Sequence, residues 1–190
     1  MKKEKIISIF KTTRALLDGH FILSSGRHSP TYFQCAKVMQ YPKYLSVFSK
    51  MISDYFLKFS PDLVISPAIG GIVLGTEVGS KLGCRTIFSE RENGDMVLRR
   101  GFTINKSEKV LIIEDVVTTG GSVQEVINLV LKKNAKVVGV GILVDRSNGE
   151  AKLHNNQYSV VKLNAVSYNE KNIPDSLAIK PVKKPGSRHL

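Results

Sequence analysis

The chain is short of several residues that chemistry is usually built from, and each shortage closes off a class of function. Among its 190 residues there are two cysteines, four histidines and no tryptophan. Cys35 and Cys84 lack metal-ligand spacing and read as free thiols of a reducing compartment. His20, His28, His154 and His189 share no ligand spacing either, which argues against a metal site built from protein side chains, and no Ser/His/Asp motif is present. No apolar run approaches the ~20 residues that span a bilayer, so no membrane association is expected. Met1-Lys2-Lys3-Glu4-Lys5 opens like a signal peptide, but Ile6 to Phe10 is too short an apolar core, which makes the expected location cytoplasmic. Acids are scarce beside bases, 16 against 28, giving a formal charge of +12. That excess is scattered from Lys2 to Arg188, without the basic block or interleaved aromatics of a nucleic-acid tract, so no nucleic-acid partner is expected and solvated lysine is the default. Internal repeats and low-complexity segments are missing too. With 42% hydrophobic residues, the chain reads as one soluble globular domain with a real core.

What is present concentrates in Val110 to Ser122. Val110 to Ile113 are apolar without alternation, as in a strand buried on both faces of a parallel sheet. Glu114 and Asp115 end it, where the carboxyl edge of such a sheet holds its ligand. Adjacent acids at that place are costly unless used. Thr118, Thr119, Gly120, Gly121 and Ser122 then combine hydroxyls, unhindered amides and a helix start, a recipe for holding phosphate, with Ser122 as the natural N-cap. Val123, Val126, Ile127, Val130 and Leu131 share one face of the helix that follows. A Walker loop needs a lysine after the glycines, and Ser122-Val123 stands there, so a single phosphate on a sugar fits better than a triphosphate.

Glu114-Asp115-Val116-Val117-Thr118-Thr119-Gly120-Gly121-Ser122 resembles the signature by which phosphoribosyltransferases bind 5-phosphoribosyl 1-diphosphate (PRPP). The resemblance implies that the acidic pair bonds the ribose 2- and 3-hydroxyls and that the Thr/Gly/Ser loop wraps the 5-phosphate.

Earlier in the chain, residues 3–17 predict a helix ended by Gly19. Gly19 to Phe33 reads as a hairpin-like strand and loop. Its pattern Gly19-His20-Phe21-x-Leu23-x-Ser25-Gly26-x-x-Ser29 resembles the base-covering N-terminal segment of orotate phosphoribosyltransferases. A second helix is predicted from Tyr41-Pro42 to about Phe59, then a strand at Leu63 to Ile65 and a turn, Pro67-Ala68-Ile69-Gly70-Gly71, into a helix capped by Gly83. Thr86 to Phe88 predicts a strand and Asn93-Gly94 a tight turn, with Met96 to Phe102 completing a hairpin or flap. Val137 to Val144 predicts one more buried strand, ending in Asp145-Arg146, and Tyr158 to Leu163 an edge strand. The region after Ile173 is proline-interrupted and basic, an irregular tail.

The fold expected is α/β, a parallel sheet flanked by helices on both faces with a small N-terminal cap. It forms a single domain over 1–190, with a base-covering segment at 1–40, a PRPP-binding core at 60–150 and a basic tail at 165–190. Arg99-Arg100-Gly101-Phe102 and Asp145-Arg146 also resemble stretches of the orotate enzymes, in the family's order. The resemblance implies transfer of phosphoribose from PRPP to orotate with Mg2+ held by PRPP oxygens and water, in a homodimer with shared sites. It places Arg146 and Thr118 on orotate, Asp115 as an electrostatic catalytic group, and Ala68, Ile69 and Gly70 beside the pyrophosphate. Long-loop orotate enzymes carry a lysine-rich loop and a lysine in the first pyrophosphate loop; this chain has neither, with Gly70 at the second place and Ser24 and Ser25 where a base-contacting lysine might stand. Arg91, Arg99 and Arg100 are the cations left for pyrophosphate, and at least one of them is expected to supply that charge by reaching into the neighbouring subunit's site. The opposing expectation is that strand alternation splits Arg99 and Arg100, one side chain solvated and the other bound to a local carboxylate such as Glu90 or Asp95. A purine phosphoribosyltransferase and a PRPP-sensing nucleic-acid-binding regulator on the same fold are the alternatives.

Overall fold

The structure, a computed structural model, describes residues 1–23, 26–164 and 166–184. Ser24, Ser25 and the last residues of the basic tail lie outside the described residues. In chain order the elements are α1 (Lys3–Thr12), β1 (Leu16–Ile22), β2 (His28–Phe33), α2 (Ala36–Met39), α3 (Pro42–Phe56), β3 (Leu63–Pro67) and α4 (Gly70–Leu82). There follow β4 (Arg85–Glu92), β5 (Asp95–Leu98), β6 (Lys109–Val117), α5 (Gly121–Lys132), β7 (Lys136–Asp145), β8 (Gln157–Lys162), α6 (Asp175–Ala178) and β9 (Val182–Lys183). They fall into two compact units, 1–38 with 164–190, and 39–163.

The larger unit carries a six-stranded sheet in the order β5-β4-β3-β6-β7-β8. Every neighbouring pair is parallel except β4 and β5, an antiparallel hairpin. Asn93 (φ 50°) and Gly94 (φ 93°) make its turn, since a two-residue hairpin with the strands' own twist needs positive φ at both positions. Leu63, Val64, Ile65, Val110, Leu111, Ile112 and Ile113 are all fully buried, each worth about 1.5–3 kcal/mol of burial. Alternation along the strands divides them between two faces. Leu63, Ile65, Val110, Ile112, Val140 and Ile142 pack with Val123, Val126, Ile127 and Val130 of α5. On the opposite face, Gly139 and Gly141 leave room for Phe56 and Ile52 of α3; side chains there would meet them at 2.3 and 2.8 Å. Helices thus flank the sheet on both faces. Leu131, placed on the apolar face of α5 by its spacing, is 54% exposed at the helix end.

Helix α4 approaches its strands closely because Gly71, Gly75 and Gly79, one every four residues, face them. A Cβ at Gly75 would lie 2.2 Å from Ser66 Oγ, and one at Gly79 2.1 Å from Thr86 Cγ2. Gly83, at φ 70°, closes the helix as its spacing predicts.

In the smaller unit, β1 lies between antiparallel β2 and parallel β9. Here the N-terminal expectation needs correcting. Helix α1 ends at Thr12, with Arg14 left-handed at φ 55°, and Ala15 to Gly19 do not continue it. Leu16 to Ile22 instead form β1, so Gly19 is a strand residue; pairing with β2 outweighs the helical spacing of Ala15 and Leu16. Buried His20 and His28 join across the hairpin through one hydrogen bond, Nε2 to Nδ1 at 2.6 Å.

Candidate active site

The residues expected at the ligand edge gather at the carboxyl ends of β3, β6 and β7. Strand β6 delivers Glu114, 7% exposed, and Asp115, partly buried. The Asp115 amide donates to Glu114 Oε1 (3.1 Å), and the Val116 amide donates to Asp115 Oδ1 (2.9 Å). Burial, and then the neighbouring Asp115 charge, push the Glu114 carboxyl well above the usual carboxylate range. Asp115 is raised as well, chiefly by burial, while hydrogen bonds from Glu114 and from backbone amides oppose the rise. Two adjacent carboxyls at this edge form a set of hydrogen-bonding oxygens suited to a sugar diol.

The start of α4 faces this pair. A Cβ at Gly70 would lie 2.6 Å from both Asp115 carboxylate oxygens, and one at Gly71 2.9 Å from the Ile113 carbonyl and 3.3 Å from Glu114 Oε1. Position 70 thus has no room for the stem of a lysine while Asp115 stays in place. The positive end of the α4 dipole faces the acids instead. Ala68 and Ile69 precede it, Ile69 82% exposed.

On the other side of Asp115 the chain passes Val116 and buried Val117 to exposed Thr118 and Thr119. The N-cap of α5 is Gly120, left-handed at φ 83°, and not Ser122, which is the second residue of the helix. The reason is local: Leu153 covers Gly120 so closely that a Cβ there would lie 2.7 Å from its Cδ2, and glycine alone fits both the φ and the space. No side chain caps α5, so its first amides remain available to an anion beside the threonine hydroxyls.

Arg146 follows β7 and is 5% exposed; its amide donates to the Val117 carbonyl at 2.8 Å, which sets it next to the end of β6. The three hairpin arginines are held locally. Arg91 bonds the Gly94 carbonyl and Glu125 of α5. Arg100 forks onto both Glu90 oxygens at 2.9 Å, holding that carboxyl below its usual range, and Arg99 stands 3.5 Å from Glu92. Within one chain this is the arrangement in which local carboxylates take up the arginines.

Sequence reasoning missed two contributors. The Gly71/Gly75/Gly79 stripe was visible as a four-residue spacing. Leu153 sits in an irregular segment with no local signal.

The chain as a whole has known relatives. The phosphoribosyl transferase domain family matches residues 38–179. The chain belongs to this family. It is 55% identical, over its full length and 98% of the relative's, to orotate phosphoribosyltransferase of Chlorobium phaeobacteroides (strain BS1). It is 50% identical to that of Caldanaerobacter subterraneus subsp. tengcongensis, with both chains fully covered. The crystal structure of orotate phosphoribosyltransferase from Aeropyrum pernix shares the phosphoribosyltransferase fold, with a TM-score of 0.67, 23% identity, and coverage of 83% of this chain and 93% of that one.

Proposed function

We propose that this protein transfers the 5-phosphoribosyl group of PRPP to orotate, giving orotidine 5-phosphate and pyrophosphate in pyrimidine biosynthesis. The observation that carries the reading is the acidic pair near the end of β6, followed across a short loop by an uncapped α5, in a chain matched end to end by relatives that bear the orotate enzyme's name.

The C1–oxygen bond to pyrophosphate breaks with its electron pair leaving on the pyrophosphate, and an orotate nitrogen forms the new bond to C1. Positive charge develops on the ribose. Glu114 and Asp115 hold the hydroxyls, and the Asp115 carboxylate contributes negative potential near the cationic ring. Thr118, Thr119, Gly120, Gly121 and Ser122 hold the 5-phosphate with hydroxyls and free amides, and Val116 and Val117 carry the strand into that loop. Arg146, with Thr118, takes orotate; a guanidinium fork matches a carboxylate. The orotate carboxylate carries the charge that Arg146 takes, and the ring N–H proton leaves to solvent or to a pyrophosphate oxygen as the nitrogen bonds C1.

Mg2+ fits as an ion carried by the substrate. Among the described residues no group of three His, Cys, Asp or Glu converges on one point, whereas a hard cation that keeps its waters and binds phosphate oxygens needs at most one or two carboxylates. When bound it offsets charge on the leaving pyrophosphate.

Ala68, Ile69 and Gly70 face the pyrophosphate through backbone groups. At least one of Arg91, Arg99 and Arg100 leaves its local carboxylate to serve a neighbouring subunit's pyrophosphate in a homodimer. Their exposure, 38–60% for the side chains, keeps them available for that exchange. The chain works as one catalytic domain, and its two free cysteines suit a cytoplasmic location. No helix among the described residues is long and apolar enough to cross a membrane.

The test is pyrophosphate release from PRPP and Mg2+ with orotate, adenine, guanine or uracil supplied separately. Release with orotate alone is expected. Release with a purine would reverse the base assignment, and release with none would leave a PRPP-binding regulator.

A further inference from the structure

We propose that a cleft beside β8 is a second anion site, one that takes a small phosphate-bearing anion and passes its occupancy to the Thr118–Ser122 loop. The cleft has a volume of about 360 Å³ and is lined by Lys152, His154, Asn155 and Lys162, with Asp145 and Gln157. That volume lies in the lower part of the roughly 300–1,000 Å³ range of small-ligand sites. None of these residues belongs to the acidic pair, the phosphate loop or the hairpin arginines.

The lining favours an anion with more than one charge. Among the described residues, neither Lys152 nor Lys162 has an ion-pair or side-chain hydrogen-bond partner, although six ion pairs form elsewhere. The Asp145 carboxylate on the wall is already engaged: its Oδ1 accepts the Ser147 amide (2.9 Å) and hydroxyl (2.7 Å), and the residue is 3% exposed. His154 Nδ1 accepts the Asn156 amide at 3.0 Å, so a neutral ring carries its proton on Nε2 as a donor. Two ammoniums, a ring N–H and the Asn155 amide form a donor set for phosphate oxygens.

The link to the loop runs through Leu153, which stands between Lys152 and His154 in sequence. Gln157 braces it: Oε1 accepts the Leu153 amide and Nε2 donates to the Ala151 carbonyl, each at 3.0 Å. The Leu153 side chain covers Gly120, and the Gly120 carbonyl in turn accepts the Gln124 amide at 2.9 Å in the first turn of α5. An anion that fixes Lys152 and His154 fixes Leu153 over Gly120 and holds the loop in one conformation. This link rests on the reading of residues 118–122 as the 5-phosphate loop; anion binding in the cleft does not.

Equilibrium dialysis with labelled inorganic phosphate tests the binding. The wild-type protein should take up two equivalents per chain, one in the loop and one in the cleft, and Lys152→Ala/Lys162→Ala one equivalent. Both lysines are exposed, so the double variant should keep the wild-type melting temperature. Ribose 5-phosphate as competitor separates the two sources: displacement of both labels identifies an ester site, and displacement of the loop label alone a site for free phosphate. The coupling is read from the apparent PRPP KM against phosphate concentration. Simple competition at one site gives a straight line, expected for the double lysine variant and for Leu153→Ala, whereas the wild-type plot should bend below it. Equal uptake by the wild type and the double variant overturns the site, whereas one equivalent in the wild type and none in the double variant overturns only the reading of the loop. A straight wild-type plot with two equivalents overturns only the coupling. Should Leu153→Ala fail to fold, the lysine variant decides alone.

Discussion

Gly70→Ala separates catalytic geometry from stability in this protein. Gly70 is the first residue of α4 and its φ is not left-handed, so alanine suits the backbone. Helix propensity even favours the change, by up to about 1 kcal/mol. The cost falls elsewhere. The new Cβ would lie 2.6 Å from both Asp115 oxygens, against 3.4 Å for an ordinary contact, a shortfall of 0.8 Å. Asp115 has little freedom to yield, since its Oδ1 holds the Val116 amide and Glu114 sits beside it. A misplacement of about 1 Å in a substrate-positioning group costs on the order of 100-fold, which is roughly 2.7 kcal/mol of transition-state stabilisation. Gly70→Ala should therefore lower kcat/KM for PRPP about 100-fold while the melting temperature stays level or rises. Gly83→Ala, at the other end of the same helix, is the converse control. Nothing lies within 4 Å of its Cβ but φ is +70°, so it should lose about 1 kcal/mol of stability and keep its kinetics. Steady-state kinetics and thermal melts of both variants decide the matter. Wild-type kcat/KM in Gly70→Ala, or a loss of activity that merely follows a fall in melting temperature, would refute the placement of Asp115.

Glu114→Gln should weaken PRPP use yet stabilise the unliganded protein at higher pH. The folded pKa of Glu114 is raised, so its stability contribution is complete below the ordinary carboxylate range and is lost as pH rises through the raised value. The melting-temperature advantage of the variant should grow across that window, and a constant difference would contradict the upward shift of the Glu114 carboxyl. Asp115→Asn should keep the fold and lose most PRPP use; normal kinetics would make the acidic pair a surface feature. Arg146→Ala should raise the orotate KM roughly tenfold or more, in line with ~1.5–3 kcal/mol for a lost charge-assisted bond, and the PRPP KM far less. Equal effects on both substrates would place Arg146 elsewhere. For the shared site, an inactive Arg91→Ala subunit mixed with an inactive Asp115→Asn subunit should regain one competent site, and no recovery despite demonstrated exchange of subunits would remove the cross-subunit role.

The parts of this molecule legible in its sequence are those where one local rule dominates. The run Val110 to Ile113 had to be a doubly buried strand, and Asn93-Gly94 and Gly83 occupy the φ values that their turns require. Legibility failed where two local rules compete. Ala15 and Leu16 fit a helical spacing, yet Leu16 pairs with Phe33 of β2 and the Ala15 carbonyl accepts the Gln34 amide, because an adjacent strand offers the backbone a ladder that spacing along the chain does not reveal. Ser122 is a good cap by residue type, yet Gly120 takes the position because Leu153, more than thirty residues on, shapes the turn. The same long-range logic governs position 70. Glycines at 71, 75 and 79 draw α4 onto its strands, that approach brings the helix start against Asp115, and the space a lysine stem needs disappears. A missing lysine thus reads in the sequence as a lost cation and in the structure as a packing consequence. Under the proposed transfer, the positive potential expected at the pyrophosphate end is that of the α4 amides together with groups carried in from elsewhere, Mg2+ and a neighbour's arginine.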